Sequence, residues 1–438
     1  MEIENPTAQG HRTPPHHPIF GVHVDKGSIR HVIEIVFSDY EIRSIHELPS
    51  GESYNNRIYF IDLRQTQPYE IELNLVLKVN GRFFGADKIQ NEVGGLLLLE
   101  ATCPSIPAPR IRAWSEDGRL AWVPHGGRPG TLEKHIVNAG KTPGWILMTR
   151  VPGERLEQLH GTLGEADLRL VGTQVAEIVA GWRRGITPQR YCGNLRFSET
   201  LKSDDTVDLA GKGACPDLAI RGVLGDDIKT SQPIDSVLSY YKIGLEHRLC
   251  ELQSQDVYAP NRAITPMVEA FINETLPHLA LVRSSSDAEP FVFTHYDLSP
   301  RNVLVTGSPP VVSGVVDFEF SGFFPTLDEF VNDYVDNGGD WPAAAYKAYL
   351  DRLRELGVST PASGVDERTW NQAVSLGKLK DNVAPWWLPG PYKGEELLAK
   401  LRQAEEVVGD MISKLKATMS LEASMSDVFA VPTKTSLN

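Results

Sequence analysis

The sequence predicts an α+β protein of two lobes, the first rich in sheet and the second mostly helical. Three observations carry that reading. The chain has 438 residues, enough for two lobes with a sizeable core. From Ile29 to about residue 148, branched and apolar residues alternate in short runs, the period of half-buried strands. Beyond Val151 apolar residues recur at three- and four-residue spacing, the period of helices.

Taken in order, residues 1–20, "MEIENPTAQGHRTPPHHPIF", are polar and rich in His and Pro. They read as a disordered tail with exposed His11, His16 and His17, and they lack the basic start and apolar stretch of a secretion signal. From Ile29 the pattern is β-like. "LPSGESYNNRIYFIDL" sets a turn before an alternating run. "IELNLVLKV", Ile71 to Val79, alternates as a strand and carries one cation, Lys78. "KIQNEVGGLLLLEA" reads as a helix that Gly94 and Gly95 weaken by roughly 1 kcal/mol each. "CPSIPAPRIRAW" returns to a strand, and "GWILMTRVPGERLEQL" gives a strand, a short linker and a helix start.

The expected boundaries are a sheet-rich lobe over 21–148, a linker at 149–152, a helical lobe over 153–422 and a flexible tail at 423–438. Helices are expected at "EADLRLVGTQVAEIVAGWRR", "IDSVLSYYKIGLEHRLCELQ" and "TPMVEAFINETLPHLALV", and again from Trp341 to about Leu415. Residues 193–235 have little periodicity and read as a long loop or insertion.

Composition narrows the function. Asp and Glu exceed Lys and Arg by 57 − 43 = 14, which disfavours nucleic acid and anionic lipid as partners and mildly favours cationic ligands. No window approaches the roughly 20 apolar residues that cross a bilayer. Cys103, Cys192, Cys215 and Cys250 form no Cys-x-x-Cys pair and read as free thiols in the cytosol.

One stretch carries chemistry. "FTHYDLSPRNVLV" sets His295, Asp297 and Asn302 just before an apolar strand. A turn with Gly307, Pro309 and Pro310 leads to "VVSGVVDFEF", which ends at Asp317. If the two strands pair as a hairpin, Asn302 and Asp317 reach adjacent ends, and two oxygen ligands in one gap suit Mg²⁺. Asp297 on the loop is then placed to accept the proton of an attacking hydroxyl. Lys78, from the other lobe, neutralises phosphates, Glu92 on the next helix holds it, and the turn Gly51–Asn56 lies over the phosphates with backbone N–H donors.

Alone, each residue has a plainer explanation. A His-x-Asp near a strand usually satisfies local backbone groups, Lys78 fits an edge-strand cation, and Glu92 fits a solvated helix face. Glu100 rivals Glu92 as the partner of Lys78. Asp328 braces the loop or caps a helix, and Glu319 fits a structural hydrogen bond better than a metal. Trp341, Trp370, Trp386 and Trp387 suit core packing better than an aromatic box for a cationic amine.

Together, His-x-Asp-x-x-x-x-Asn and Asp-Phe-Glu, with an upstream strand lysine and helix glutamate, resemble the protein-kinase-like signature. Their form resembles the aminoglycoside phosphotransferase and choline kinase superfamily, within it the fungal phosphotransferase-like proteins in which "GWRR" and "GNLRF" recur. The resemblance implies a bilobal protein-kinase-like fold, with ATP and Mg²⁺ as cofactors and a small-molecule hydroxyl as acceptor. By position it implies Asp297 as catalytic base and His295 as loop brace. It makes Asn302 and Asp317 metal ligands, and Lys78 the phosphate ligand paired to Glu92. It places Gly51, Ser53 and Asn55 in the nucleotide turn, and Thr149 to Val151 against adenine. Glu319 stands where protein kinases carry glycine, and no Ala-Pro-Glu segment follows Asp317. Both features favour a small-molecule kinase over a protein kinase; a catalytically silent scaffold is the alternative from another class.

Overall fold

The alternating runs of the first lobe close into one antiparallel sheet. A computed structural model describes residues 14, 16–49, 51–65, 71–124, 131–138, 142–197, 206–208, 218–225, 228–230, 232–284, 291–328, 341–360 and 366–428. The strands of the first lobe are β1 Tyr40–Glu47, β2 Asn56–Gln65, β3 Glu72–Asn80, β4 Ile111–Ser115, β5 Leu120–Pro124, β6 Thr131–Ile136 and β7 Trp145–Thr149. Two residues form β8, Glu154–Arg155; further on lie β9 Gly193–Phe197 and β10 Thr206–Asp208. The sheet order is β1-β2-β3-β7-β4-β5-β6-β10. Lys78 sits opposite Ile58 on β2 and Ile146 on β7, so it belongs to a central strand rather than an edge.

Among the described residues, two helices serve this lobe. The first, α1 Lys26–Val36, was expected as β-like sequence; Asp25 caps it by accepting from Ser28 N at 3.0 Å, and Ile29, Val32 and Ile33 bury one face. The second, α2 Gly85–Thr102, carries Lys88 and Glu92. Its glycines are contact points: a Cβ on Gly95 would meet Ser321 Oγ at 2.6 Å, and one on Gly94 would meet Leu195 at 3.3 Å. The expected tail is ordered from His16 to Phe20. Ile19 is buried, Arg82 donates to the carbonyls of His17 and Pro18, and the His17 ring packs edge-on to Tyr54 at 4.7 Å. His11 lies outside the described residues.

The second lobe is built on helices α3 Leu156–Leu159, α4 Glu165–Gly185, α5 Val237–Ser254, α6 Thr265–Ala270, α7 Ala280–Ser284, α8 Ala343–Glu355, α9 Glu367–Val383 and α10 Gly394–Val428. It holds more sheet than periodicity indicated. β9, β11 Leu218–Ile220, β12 Val292–Thr294 and β15 Gly322–Phe324 form a four-stranded sheet in the order β11-β9-β15-β12. β13 Val303–Thr306 and β14 Val311–Val315 form the expected hairpin, flanked by β8. The stretch 193–235 is therefore partly strand, and β10 within it pairs with β6 of the first lobe. Cys103 and Cys192 are buried free thiols and Cys250 an exposed one; Cys215 lies outside the described residues.

The helices α4 and α8 meet at Gly172, where a Cβ would lie 2.1 Å from Ala345 O. Helix propensity favours Ala over Gly by about 1 kcal/mol, but this contact is with backbone and cannot be relieved by a rotamer. Gly172→Ala is expected to destabilise the protein by about 1–3 kcal/mol. Gly409→Ala in α10, with nothing within 4 Å, is expected to stabilise it by up to about 1 kcal/mol. Urea midpoints that rise for both variants would contradict the α4–α8 packing.

Candidate active site

The hairpin does what the sequence asked of it. Val303 pairs with Val315, and Val316 N donates to Asn302 O at 2.9 Å, so Asn302 and Asp317 stand at one end. Across the gap, Lys78 Nζ lies 2.5 Å from Asp317 Oδ1, 2.6 Å from Glu92 Oε2 and 3.1 Å from Glu319 Oε2. Glu92, not Glu100, is thus the helix partner of Lys78.

The loop His295–Asn302 is held from several sides. His295 is fully buried; its Nε2 donates to Val316 O at 3.0 Å and its Nδ1 accepts from Asp297 N at 3.3 Å. Those two contacts demand the neutral ring, and burial pushes its pKa down to about 4. Trp341 Nε1 donates to Leu298 O at 3.1 Å, so this tryptophan is core that supports the loop. Trp370 also packs against the core, whereas Trp386 and Trp387 are exposed and stand edge-to-face at 6.0 Å. Trp182, from "GWRR", packs edge-on to Phe293 and Phe318 beneath the loop. Asp328 accepts from Tyr241 Oη at 3.0 Å, and the loop's own Tyr296 is linked to Tyr240 by a hydroxyl pair at 2.9 Å.

Asp297 accepts from Arg301 Nη2 at 2.5 Å and from Asn302 Nδ2 at 3.1 Å. Burial raises its carboxyl to about 7, against the pull of Arg301. The Asn302 amide nitrogen also donates to Asp297 O at 2.8 Å. Asn302 and Asp317 stand at one hairpin end and both carry hard oxygen atoms, the donor type Mg²⁺ takes, and the oxygens of Glu92, Asp317 and Glu319 lie within 4.8 Å of one another.

Charge explains the rest of the site. Lys78 and Lys88 face Glu92, Asp317 and Glu319, two cations against three carboxyl groups, and burial raises the Glu92 carboxyl to about 7 against the pull of Lys78. Burial opposes ionisation of Glu319, yet Lys78, Lys88, Asn56 and Asn55 outweigh it and hold that carboxyl well below the usual range. Asp317 is pushed up by burial and by the neighbouring Glu319 charge. Lys78 is driven down by burial, but the three carboxylates more than offset this and keep it protonated.

The turn at Gly51–Asn56 and the segment Thr149–Val151 show details that the sequence hid. Gly51 takes a positive φ of 101° on the exposed tip, and Ser53 is half-buried. The Asn55 side chain points inward and donates to Glu319 Oε1 at 2.7 Å. At the linker, Thr149 N donates to Arg110 O and Arg150 N to Asn74 O, both at 2.9 Å, while the Val151 side chain faces Gly314. Sequence reasoning missed Lys88, Asn91 and Arg301, and gave Asn56 only as the end of the turn. A signal existed for Lys88, which precedes Glu92 by one helical turn and so shares its face.

Comparison with known proteins places the chain. The phosphotransferase enzyme family (APH) matches residues 45–362. This chain belongs to that family. No match was found among curated proteins. Among solved structures, the streptomycin–ATP ternary complex of APH(2'')-IIa superposes with a TM-score of 0.51 at 13% identity, covering 89% of this chain and 99% of that one. ADP-bound aminoglycoside phosphotransferase APH(2'')-Ib gives 0.51 at 14% identity over 89% and 99%. The likeness establishes a bilobal protein-kinase-like fold. Among the described residues no helix is long and apolar enough to cross a membrane.

The buried neutral histidine makes stability depend on pH. The His295 pKa is lowered on folding, so its contribution is present above about 6.5 and is lost as pH falls towards about 4. The raised Asp297 carboxyl acts in the opposite sense over pH 4 to 7, so the two must be separated. The stability gap between wild type and His295→Asn is expected to shrink by up to about 3 kcal/mol between pH 7 and pH 4. A gap independent of pH, measured by denaturant unfolding, would remove the neutral-ring assignment.

Proposed function

We propose that this phosphotransferase is an ATP- and Mg²⁺-dependent kinase that transfers the γ-phosphate to a hydroxyl of a small molecule, an aminoglycoside-, choline- or amino-alcohol-like acceptor. The observation that carries the reading is Lys78, held across the cleft between Glu92 at 2.6 Å and Asp317 at 2.5 Å. A lysine so placed can move from Asp317 to the α- and β-phosphates while Glu92 retains it.

In this reading the triphosphate lies under the turn Gly51–Asn55, where Gly51 and Ser53 offer backbone donors. Adenine meets the linker at Thr149–Val151. Because Thr149 N–H and Arg150 N–H are engaged with Arg110 and Asn74, the donor towards adenine falls to Val151. Asn302 and Asp317 hold Mg²⁺, which when bound neutralises charge on the phosphates. Asp297 accepts the hydroxyl proton as the acceptor oxygen bonds to the γ-phosphorus and the bond to the β-phosphate oxygen breaks, releasing ADP. His295 keeps the loop backbone in place through its two contacts. The net charge of −14 suits an amino-bearing acceptor, and a cytosolic location suits the nucleotide supply.

Two variants and one cation test the assignment. ATP with Mg²⁺ is expected to raise the melting temperature clearly more than ATP with EDTA. Asp317→Ala is expected to abolish that difference. Asp297→Asn is expected to keep MgATP affinity while turnover on a pool of hydroxylated metabolites, followed by mass, falls by about 10²–10⁴-fold. Equal stabilisation with and without metal would favour a scaffold, and undiminished turnover in Asp297→Asn would remove the base.

A further inference from the structure

The nucleotide turn lacks the glycine triplet that lets a phosphate loop settle onto its ligand; Gly51 and its φ of 101° stand in the turn "LPSGESYNN" with no second glycine. Something else must fix its height over the cleft. The turn ends in two asparagines whose side chains both point down. Asn55 Nδ2 donates to Glu319 Oε1 at 2.7 Å, and Asn56 Nδ2 donates to Glu319 Oε2 at 2.6 Å. One carboxylate, more than 260 residues further along the chain, thus grips both ends of the Asn-Asn pair.

Lys88 completes the grip. Its ammonium donates to Asn56 Oδ1 at 2.9 Å and to the backbone carbonyl of Asn55 at 3.3 Å, and lies 3.5 Å from Glu319 Oε2. Lys88, Asn56 and Glu319 are 2%, 4% and 1% exposed, so the grip lies inside the protein beneath the turn. The carboxylate is anchored in turn: Asn91 Nδ2 donates to Glu319 O at 2.8 Å, and Asn91 Oδ1 accepts from Leu195 N at 2.7 Å. A buried ion cluster contributes little more stability than apolar packing of equal volume. What it supplies is orientation.

Building on the phosphotransferase reading, we propose that Asn55, Asn56, Lys88 and Glu319 form a latch that positions the nucleotide turn over the triphosphate in place of the missing glycines. These are positioning residues. They act through the backbone of residues 51–54, which faces the phosphates, and not through adenine, which binds at the linker. The latch therefore makes a distinction that a merely structural cluster does not: its loss weakens binding of nucleotides that carry phosphates and spares adenosine.

The test uses the full chain and titration calorimetry with MgATP and with adenosine. Asn55→Ala removes one arm at a half-buried position, and is expected to weaken MgATP by about tenfold while adenosine stays within about twofold. Lys88→Met is expected to act in the same direction; Asn55→Ala alone decides if that variant does not fold. If wild type prefers MgATP to adenosine and Asn55→Ala keeps the whole preference, the latch is overturned and the phosphotransferase reading stands. If Asn55→Ala weakens both ligands equally, the cluster is structural and the latch is likewise overturned. If wild type shows no preference for MgATP, the phosphotransferase reading falls and takes the latch with it.

Discussion

The structure turns on one ammonium group. Lys78 is buried on a central strand, and a cation there is tolerated only where carboxylates surround it. Those carboxylates come from α2 in one lobe and from Asp317 and Glu319 in the other. Pairing the charge therefore fixes how the lobes face each other, and the geometry of the cleft follows from electrostatics before any ligand enters. With Lys88 added, the cluster still has one more carboxyl group than cation, and burial with the neighbouring Glu319 charge raises the Asp317 carboxyl at the cleft.

Backbone strain marks the same place. Tyr296 and Asp317 both take left-handed conformations, with φ of 68° and 70°. For residues other than glycine each costs on the order of 1–3 kcal/mol, which the surroundings must offset. The offset is visible beside each residue. Tyr296 packs on Phe324 at 4.3 Å between ring centres and shares a hydroxyl pair with Tyr240, while Val316, just before Asp317, is held by Asn302 and His295. The bends aim the side chains of Asp297 and Asp317 into the cleft from two short loops.

What could be read from the sequence was whatever depends on short, fixed spacing. Asp297, Asn302 and Asp317 lie on a loop and a hairpin whose geometry is set locally, and Lys78 and Glu92 lie on a strand and helix with clear periods. The misreadings have physical causes. Ile29, Val32, Ile33, Ile35 and Val36 are β-branched and imitate a strand, but Asp25 caps them and packing of one face makes them a helix. β9, β10 and β11 are three to five residues long and exist only through partners distant in the chain. Lys88 and Asn56 look like surface residues because Glu319, the partner that buries them, lies far away in sequence.

Those hidden contacts bear on how the site can move. In α2, Gln90 and Asn91 accept from Phe197 N and Leu195 N on β9, and Asn91 also donates to Glu319 O. Gly94 and Gly95 bring the same helix against Leu195 and Ser321 too closely for a side chain between them. Swinging Glu92 away from Lys78 would leave several buried polar groups unpaired, at about 1–3 kcal/mol each, and open a void against β9. Helix α2 is therefore a fixed part of the cleft floor. Lys78 keeps Glu92 whatever occupies the cleft, and of these two contacts the more open is the one with Asp317, which is a third exposed where Glu92 is buried.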